Sequence, residues 1–102
     1  MTFKVIAEAE AKQDWNEAID WYEEREPGVG LRLDDAIRTF LQTLSQHPER
    51  FPFATRLTRK AKILGPWPYS VYFTINEEYG EVKVLAIWHG RRDPAELQRR
   101  LR

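Results

Sequence analysis

The chain has 102 residues, 42% apolar and 31% charged, a balance that suits one globular domain and excludes a disordered or fibrous polypeptide. With no cysteine, a disulfide framework, a thiolate metal site and a cysteine nucleophile are all excluded, and no apolar run approaches the ~20 residues that cross a bilayer. The net charge of zero hides a polarity: residues 1–50 carry 6 Lys/Arg against 11 Asp/Glu, and residues 51–102 carry 10 against 5, unlike a general DNA coater.

Phe3, Val5 and Ala7 alternate with Lys4 and Ile6, which predicts a short strand with one buried face. The opening apolar stretch is too short, and too soon followed by acids, for a cleavable signal, so a cytoplasmic protein is expected. The period then changes. Ala11, Trp15, Ala18, Ile19 and Tyr22 recur at helical steps and predict an amphipathic helix from about Glu8 to Glu26. Asp14, Glu17, Asp20 and Glu24 fall on its polar side, Trp15 is read as core, and Trp21 flanks the stripe. Pro27-Gly28 ends this helix. A second is predicted from Gly30 to His47 on Leu33, Ile37, Phe40, Leu41 and Leu44, folding back as an antiparallel hairpin.

After an irregular stretch from Glu49 to Thr58, Arg59–Leu64 reads as a strand, interrupted by Gly65-Pro66-Trp67-Pro68. Tyr69 to Ile75 and Glu81 to Trp88 are strands of strict alternation joined by a turn from Asn76 to Gly80. Trp88 is read as packing. Asp93 followed by Pro94 predicts one or two helical turns in a short basic tail. The order β-α-α-β-β-β predicts an α+β domain: a helical hairpin on one face of a mostly antiparallel sheet of about four strands, with a short C-terminal helix. One domain spans residues 1–102.

The hairpin delivers His89-Gly90-Arg91-Arg92 to a sheet end, where a phosphate, a carboxylate or a partner protein could meet them. His89, Arg91 and Arg92 are therefore the expected cationic edge, with Arg59, Lys60 and Lys62 as secondary contributors. The competing reading for Arg92 is a pair with Asp93 or a cap on the tail. Two histidines 42 residues apart, without cysteine, make no metal site. No glycine loop for phosphate and no Ser-His-Asp signature is present, and no cofactor is expected.

Several segments together carry a resemblance. They are Asp14-Trp15, Ala18-Ile19-Asp20-Trp21-Tyr22-Glu23-Glu24, Pro27-Gly28-Val29-Gly30, Leu44-Ser45-Gln46-His47-Pro48, Pro68-Tyr69-Ser70-Val71-Tyr72-Phe73 and His89-Gly90-Arg91-Arg92-Asp93-Pro94. In this order the chain resembles the RelE/ParE toxin superfamily of type II toxin–antitoxin systems, and its ParE branch in particular. The resemblance implies a growth-arresting toxin, of the kind linked to plasmid stabilisation. A cognate antitoxin would neutralise it by wrapping the helical hairpin and sheet, with Trp21 and Tyr69 as antitoxin-facing residues. ParE-like members are associated with poisoning DNA gyrase, and RelE-like members with cutting messenger RNA on the ribosome.

The residues lean toward the first activity. Cleaving RNA without a metal requires positioned acid–base groups and cations on the phosphorane. Where RelE-like toxins commonly carry arginine after the hairpin tyrosine, this chain has Ser70, and where RelE offers a C-terminal tyrosine it has Gln98. Arg92 matches an arginine of the nucleases, Lys62 could add a phosphate contact, and His89 is the one nearby side chain that titrates near neutral pH. The expected function is a non-enzymatic gyrase inhibitor. A ribosome-dependent mRNA interferase using Arg92, His89 and Lys62 is the first alternative, and a non-toxic protein-binding module the second.

Overall fold

The computed structural model describes residues 2–102. In chain order the elements are β1 (Lys4–Ala7), α1 (Ala9–Arg25), α2 (Val29–Gln46), a single 3-10 turn (Pro48–Arg50), β2 (Arg59–Lys62), β3 (Tyr69–Asn76), β4 (Glu81–His89) and α3 (Pro94–Gln98). The strands form one sheet in the order β1-β4-β3-β2, with β1 parallel to β4 and the other pairs antiparallel. This is the expected α+β architecture. Parallel pairing of β1 follows because the α1–α2 hairpin lies between it and the rest of the sheet, leaving room for a crossover.

The two helices touch closely at their turn. Gly28 has φ +93°, the left-handed conformation that glycine adopts without a Cβ penalty, and it offers no side chain to cap α2. Glu23 supplies the cap from α1: its carboxylate accepts the Gly28 N–H at 2.9 Å and the Leu31 N–H at 3.1 Å. The Gly28 bond, followed by the Leu31 bond, holds this carboxyl below its ordinary pKa. At Gly30 an added Cβ would lie 2.4 Å from Glu23 Cγ and 2.5 Å from the Ile19 carbonyl oxygen, so only glycine allows the approach.

Leu33, Ile37, Phe40 and Leu44 of α2 meet Val71, Phe73, Val82, Val84 and Ile87 of the sheet in the main core. From α1 the fully packed contributors are the small residues Ala11 and Ala18. Trp15, expected in the core, lies at its margin instead. It packs against the core half-buried, its Nε1 donates to Asp34 Oδ1 at 2.9 Å and Arg38 sits over the ring, so α2 rather than the sheet supplies its polar partners.

The strict alternation expected of β4 is broken. Tyr72 pairs with Ala86 and Phe73 with Val84, which leaves Leu85 as the extra residue of a β-bulge. Val82 and Val84 face the helices, and after the bulge Ile87 does so. Ala86 and Trp88 are thereby turned to the opposite face, where they pack with Tyr72 of β3 and Leu97 of α3 in a second, smaller core. Trp88 is buried as expected, but on the far side of the sheet.

The C-terminal segment forms a strap over that second face. Asp93 Oδ1 accepts the Ala95 N–H at 2.9 Å and Pro94 occupies the first turn of α3, as the sequence indicates. Beyond α3 the Arg102 carbonyl accepts from both Thr55 and Thr58 hydroxyls, and its guanidinium meets Glu8 at 3.0 Å. The basic tail is thus bound along its length rather than loose.

One carboxylate joins these parts. Asp14, read from the sequence as part of the polar side of α1, is 4% exposed. It accepts the Ile87 N–H at 3.0 Å, Arg92 Nη1 at 2.9 Å, Arg100 Nη1 at 2.6 Å and Arg100 Nη2 at 3.0 Å. The β1 ladder ends at Ala7–Val84, so β4 has no strand neighbour on that side beyond this point, although β3 continues along its other side. Asp14 takes the orphaned Ile87 N–H, and Arg100 donates to the bulge carbonyl of Leu85 at 3.4 Å. An ion pair replaces the missing strand. Burial opposes the charge on Arg100, but the bond and attraction of Asp14, with Glu10 and Glu17, more than offset it and raise its pKa above the ordinary arginine value.

Two substitutions test this account by urea titration. Asp14→Ala should cost about 3 kcal/mol, the low end for unpairing a buried charge, because Arg92 can turn toward water. Gly30→Ala should cost about 1–3 kcal/mol through the forced separation of α1 and α2. A loss under about 0.5 kcal/mol in either would contradict the packing described.

Candidate functional site

A groove of about 500 Å³ opens between α1 and the paired ends of β3 and β4, lined by Asp14, Glu17, Ala18, Trp21, Tyr69, Ile87, His89, Arg91 and Arg92. Tyr69 opens β3 and pairs across the sheet with His89, the last residue of β4; their rings meet edge to face at 5.2 Å. Tyr69 faces the helix side by simple alternation with Val71 and Phe73, and His89 does so because the bulge at Leu85 reverses the parity of β4 after Val84. An unbulged strand would turn Trp88 into the groove and His89 away from it.

The turn after β4 is held by its own backbone. Gly90 N–H donates to the Pro68 carbonyl at 2.9 Å and Arg92 N–H to the His89 carbonyl at 3.0 Å. Arg91 N–H donates to His89 Nδ1 at 2.9 Å. That bond occupies Nδ1 as an acceptor, so the neutral imidazole carries its proton on Nε2. Burial, with a smaller contribution from Tyr22, pushes the Tyr69 phenol up to about 12, so it remains a neutral hydroxyl at any physiological pH.

Six cations were expected to form the functional edge, and the structure places them in different settings. Arg92 is engaged by Asp14, meets Glu96 at 3.5 Å and stacks on Trp88 with its guanidinium 3.8 Å from the ring centre. Its partner is Asp14, not the adjacent Asp93. Arg91 is exposed, and among the described residues its guanidinium has no ion pair. Arg59 donates to the carbonyls of Glu49 and Phe51 at 3.2 and 2.7 Å and stacks on Phe53. Lys62 Nζ donates to the Trp67 carbonyl at 2.9 Å. Lys60 is exposed, 5.7 Å from the Tyr72 ring. The strand carrying these three is the sheet edge remote from β4, so they do not share the groove with His89 and Arg91.

Trp21 and Tyr69, expected to face one partner, line the same groove as His89, Arg91 and Arg92, expected to face another. Trp21 is half exposed, with Arg25 stacked 3.7 Å from its ring centre. Asp14 and Arg100 escaped the sequence reading, since neither periodicity nor local pattern couples positions 86 residues apart. The bulge left a trace: Val84-Leu85-Ala86-Ile87-Trp88 is apolar throughout, where an alternating strand should show polar residues. No helix is long and apolar enough to cross a membrane, and no cluster of three or more potential metal ligands is found among the described residues.

The Tyr69 environment has a measurable pH signature. The folded pKa of about 12 lies above the ordinary value of 10, so its contribution to stability is intact below pH 10 and is lost as pH rises toward 12. Ultraviolet titration should find one tyrosine ionising late, and Tyr69→Phe should remove that step.

The structure is similar to two solved toxin–antitoxin structures. For the chromosomal ParDE system of P. aeruginosa the TM-score is 0.75 at 20% identity, covering 86% of this chain and 96% of that one. For the RelBE2 toxin–antitoxin complex of Mycobacterium tuberculosis it is 0.67 at 22%, covering 87% and 99%. These two likenesses concern the fold. In sequence, the chain is 35% identical to Toxin RelE1 of Caulobacter vibrioides over 91 residues, which is 88% of this chain and 96% of that protein. Residues 5–94 match the family model described as the ParE toxin of the type II toxin–antitoxin system, parDE. With the helical hairpin, the β1-β4-β3-β2 sheet and the cationic turn already in place, that match over most of the chain settles the family: this protein belongs to the ParE toxins of type II toxin–antitoxin systems.

Proposed function

We propose that this protein arrests growth by binding DNA gyrase through the turn after β4, as a non-enzymatic inhibitor, and that a cognate antitoxin neutralises it. The observation that carries this reading is the employment of the cations. An RNase that works without a metal needs guanidinium or ammonium groups free to reach a phosphorane, close to an acid–base pair. Here Arg92 is committed to Asp14 and Trp88, Arg59 to two backbone carbonyls, and Lys62 to Trp67. His89 and Arg91 remain at the groove, with Lys60 on the remote strand. His89 and Arg91, flanked by a Tyr69 hydroxyl that burial holds neutral and by Glu17 on α1, suit recognition better than hydrolysis. In this reading His89 and Arg91 contact the target, Arg92 holds their turn, and Arg59, Lys60 and Lys62 lie outside the main contact.

The antitoxin partner is supported by the solved relatives, both of which are toxin–antitoxin systems. The name of the Caulobacter relative favours a second reading, a RelE-like ribosome-dependent mRNA interferase, in which His89 Nε2 would serve as the acid–base group.

A parallel assay separates the two. Purified protein should inhibit supercoiling by gyrase and leave ribosome-bound message intact, and Arg91→Ala should weaken the inhibition roughly tenfold, the worth of one charge-assisted contact. Codon-positioned breaks in message with unimpaired gyrase, abolished by His89→Ala, would establish the second reading instead.

A further inference from the structure

Hydrogen-bonding groups that the fold leaves unused converge on the groove and describe the chemistry of what fills it. Tyr69 is only 7% exposed and lines the groove, yet among the described residues its hydroxyl has no hydrogen-bond partner. The buried polar side-chain atom without a partner among the described residues is Trp88 Nε1, so the Tyr69 hydroxyl opens to the groove and is available to a ligand there. His89 accepts the Arg91 N–H on Nδ1, so its other nitrogen, Nε2, is a donor whether the ring is neutral or charged. The unpaired guanidinium of Arg91 is the third donor. Asp14 already accepts four bonds from Ile87, Arg92 and Arg100, so it has little capacity to receive anything more. Between these groups Ala18, Ile87 and the half-exposed Trp21 provide an apolar floor.

Three donors above an apolar floor complement an acceptor-only anion next to an apolar side chain. An ammonium would meet the Arg91 guanidinium and the His89 N–H, with the Tyr69 oxygen and the Glu17 carboxylate at the rim as acceptors. Glu17 on the α1 rim repels a second negative charge, which disfavours a polyanion such as a nucleic acid strand and favours a single carboxylate.

We propose that this groove is a carboxylate receptor for the antitoxin. One Asp or Glu of an antitoxin segment bonds the Tyr69 hydroxyl, His89 Nε2 and the Arg91 guanidinium, while a neighbouring apolar side chain rests on Ala18, Ile87 and Trp21. The inference rests on the reading that a cognate antitoxin neutralises this toxin. It adds the chemistry of that contact, a single antitoxin carboxylate held by three named donors of the groove.

Two measurements on the full chain test it. The first titrates blocked peptides, acetyl-Ala-Leu-Glu-Phe-Ala-amide and its Gln counterpart, and follows the Trp21 indole and His89 imidazole by NMR. The Glu peptide should shift both signals at millimolar concentration and bind about tenfold more tightly than the Gln peptide. Tyr69→Phe, which keeps the ring, should remove much of that preference. Equal binding of the two peptides, or no shift at Trp21 and His89, would overturn the proposal. The second measures calorimetrically the affinity for the antitoxin encoded beside the gene. Tyr69→Phe and Arg91→Ala should each weaken it about tenfold. A tight complex unaffected by either change would overturn the carboxylate receptor and leave the antitoxin reading standing. No complex with the unaltered protein would overturn both.

Discussion

A single carboxylate beneath α1 decides how this small domain closes. Asp14 lies where the sheet runs out of strands: β1 leaves β4 after Val84, and the remaining edge would expose N–H and C=O groups between a helix and a sheet. Such groups cannot be buried unpaired without a cost of about 1–3 kcal/mol each. Asp14 and Arg100 answer the Ile87 N–H and the Leu85 carbonyl respectively. Because Arg92 and Arg100 both come from beyond β4, the same carboxylate ties the C-terminal strap and the cationic turn to the first helix. Hydrophobic contact could bring these segments together, but it has no direction. The ion cluster supplies the direction.

The bulge at Leu85 and the Asp14 cluster depend on each other. The extra residue frees a carbonyl and reverses the facing of everything after it, which sends Ile87 and His89 toward the helices and Trp88 toward α3. Trp88 then becomes the platform on which Arg92 stacks at 3.8 Å and near which Arg100 lies at 5.0 Å. The guanidinium groups are thus held from one side by an aromatic face and from the other by Asp14. Deleting the bulge residue would dismantle the groove and the second core in one step, since a strand slip of one position exchanges its two faces.

Much of the fold was legible because it rests on local rules. The α2 stripe from Leu33 to Leu44, the Pro27-Gly28 break, the Asn76–Gly80 turn and the Asp93-Pro94 helix start each follow from periodicity, capping or turn chemistry within a few residues. The groove was legible in part: Tyr69, His89, Arg91 and Trp21 could be named as candidates from strand ends and a helix flank. What pattern could not supply was their grouping. Trp21 and Tyr69 share a site with His89 only because α1 crosses the end of the sheet, and Arg92 leaves the free cations only because Asp14, 78 residues earlier, claims it. A helical wheel assigns Asp14 to water, since it counts hydropathy and does not register a partner arriving from the other end of the chain. Trp15 fails in the opposite sense: the wheel places it in the core, whereas it stays half-buried at the margin with its N–H bonded to Asp34.

The division of the arginines bears on how one scaffold accommodates different targets. Arg59, Arg92, Arg100 and Arg102 bind carbonyls or carboxylates of their own chain, so changing them perturbs folding before recognition. Arg91 has no such duty, and it sits two residues from a histidine whose Nδ1 accepts the Arg91 backbone N–H. A domain of 102 residues has a small core and cannot hold many strained or unpaired groups. It can, however, place unpaired donors at the mouth of one groove, braced from below by the Asp14 cluster. On the proposed function, target preference would reside in a handful of side chains at the sheet end, and the fold beneath them carries little information about which partner they meet.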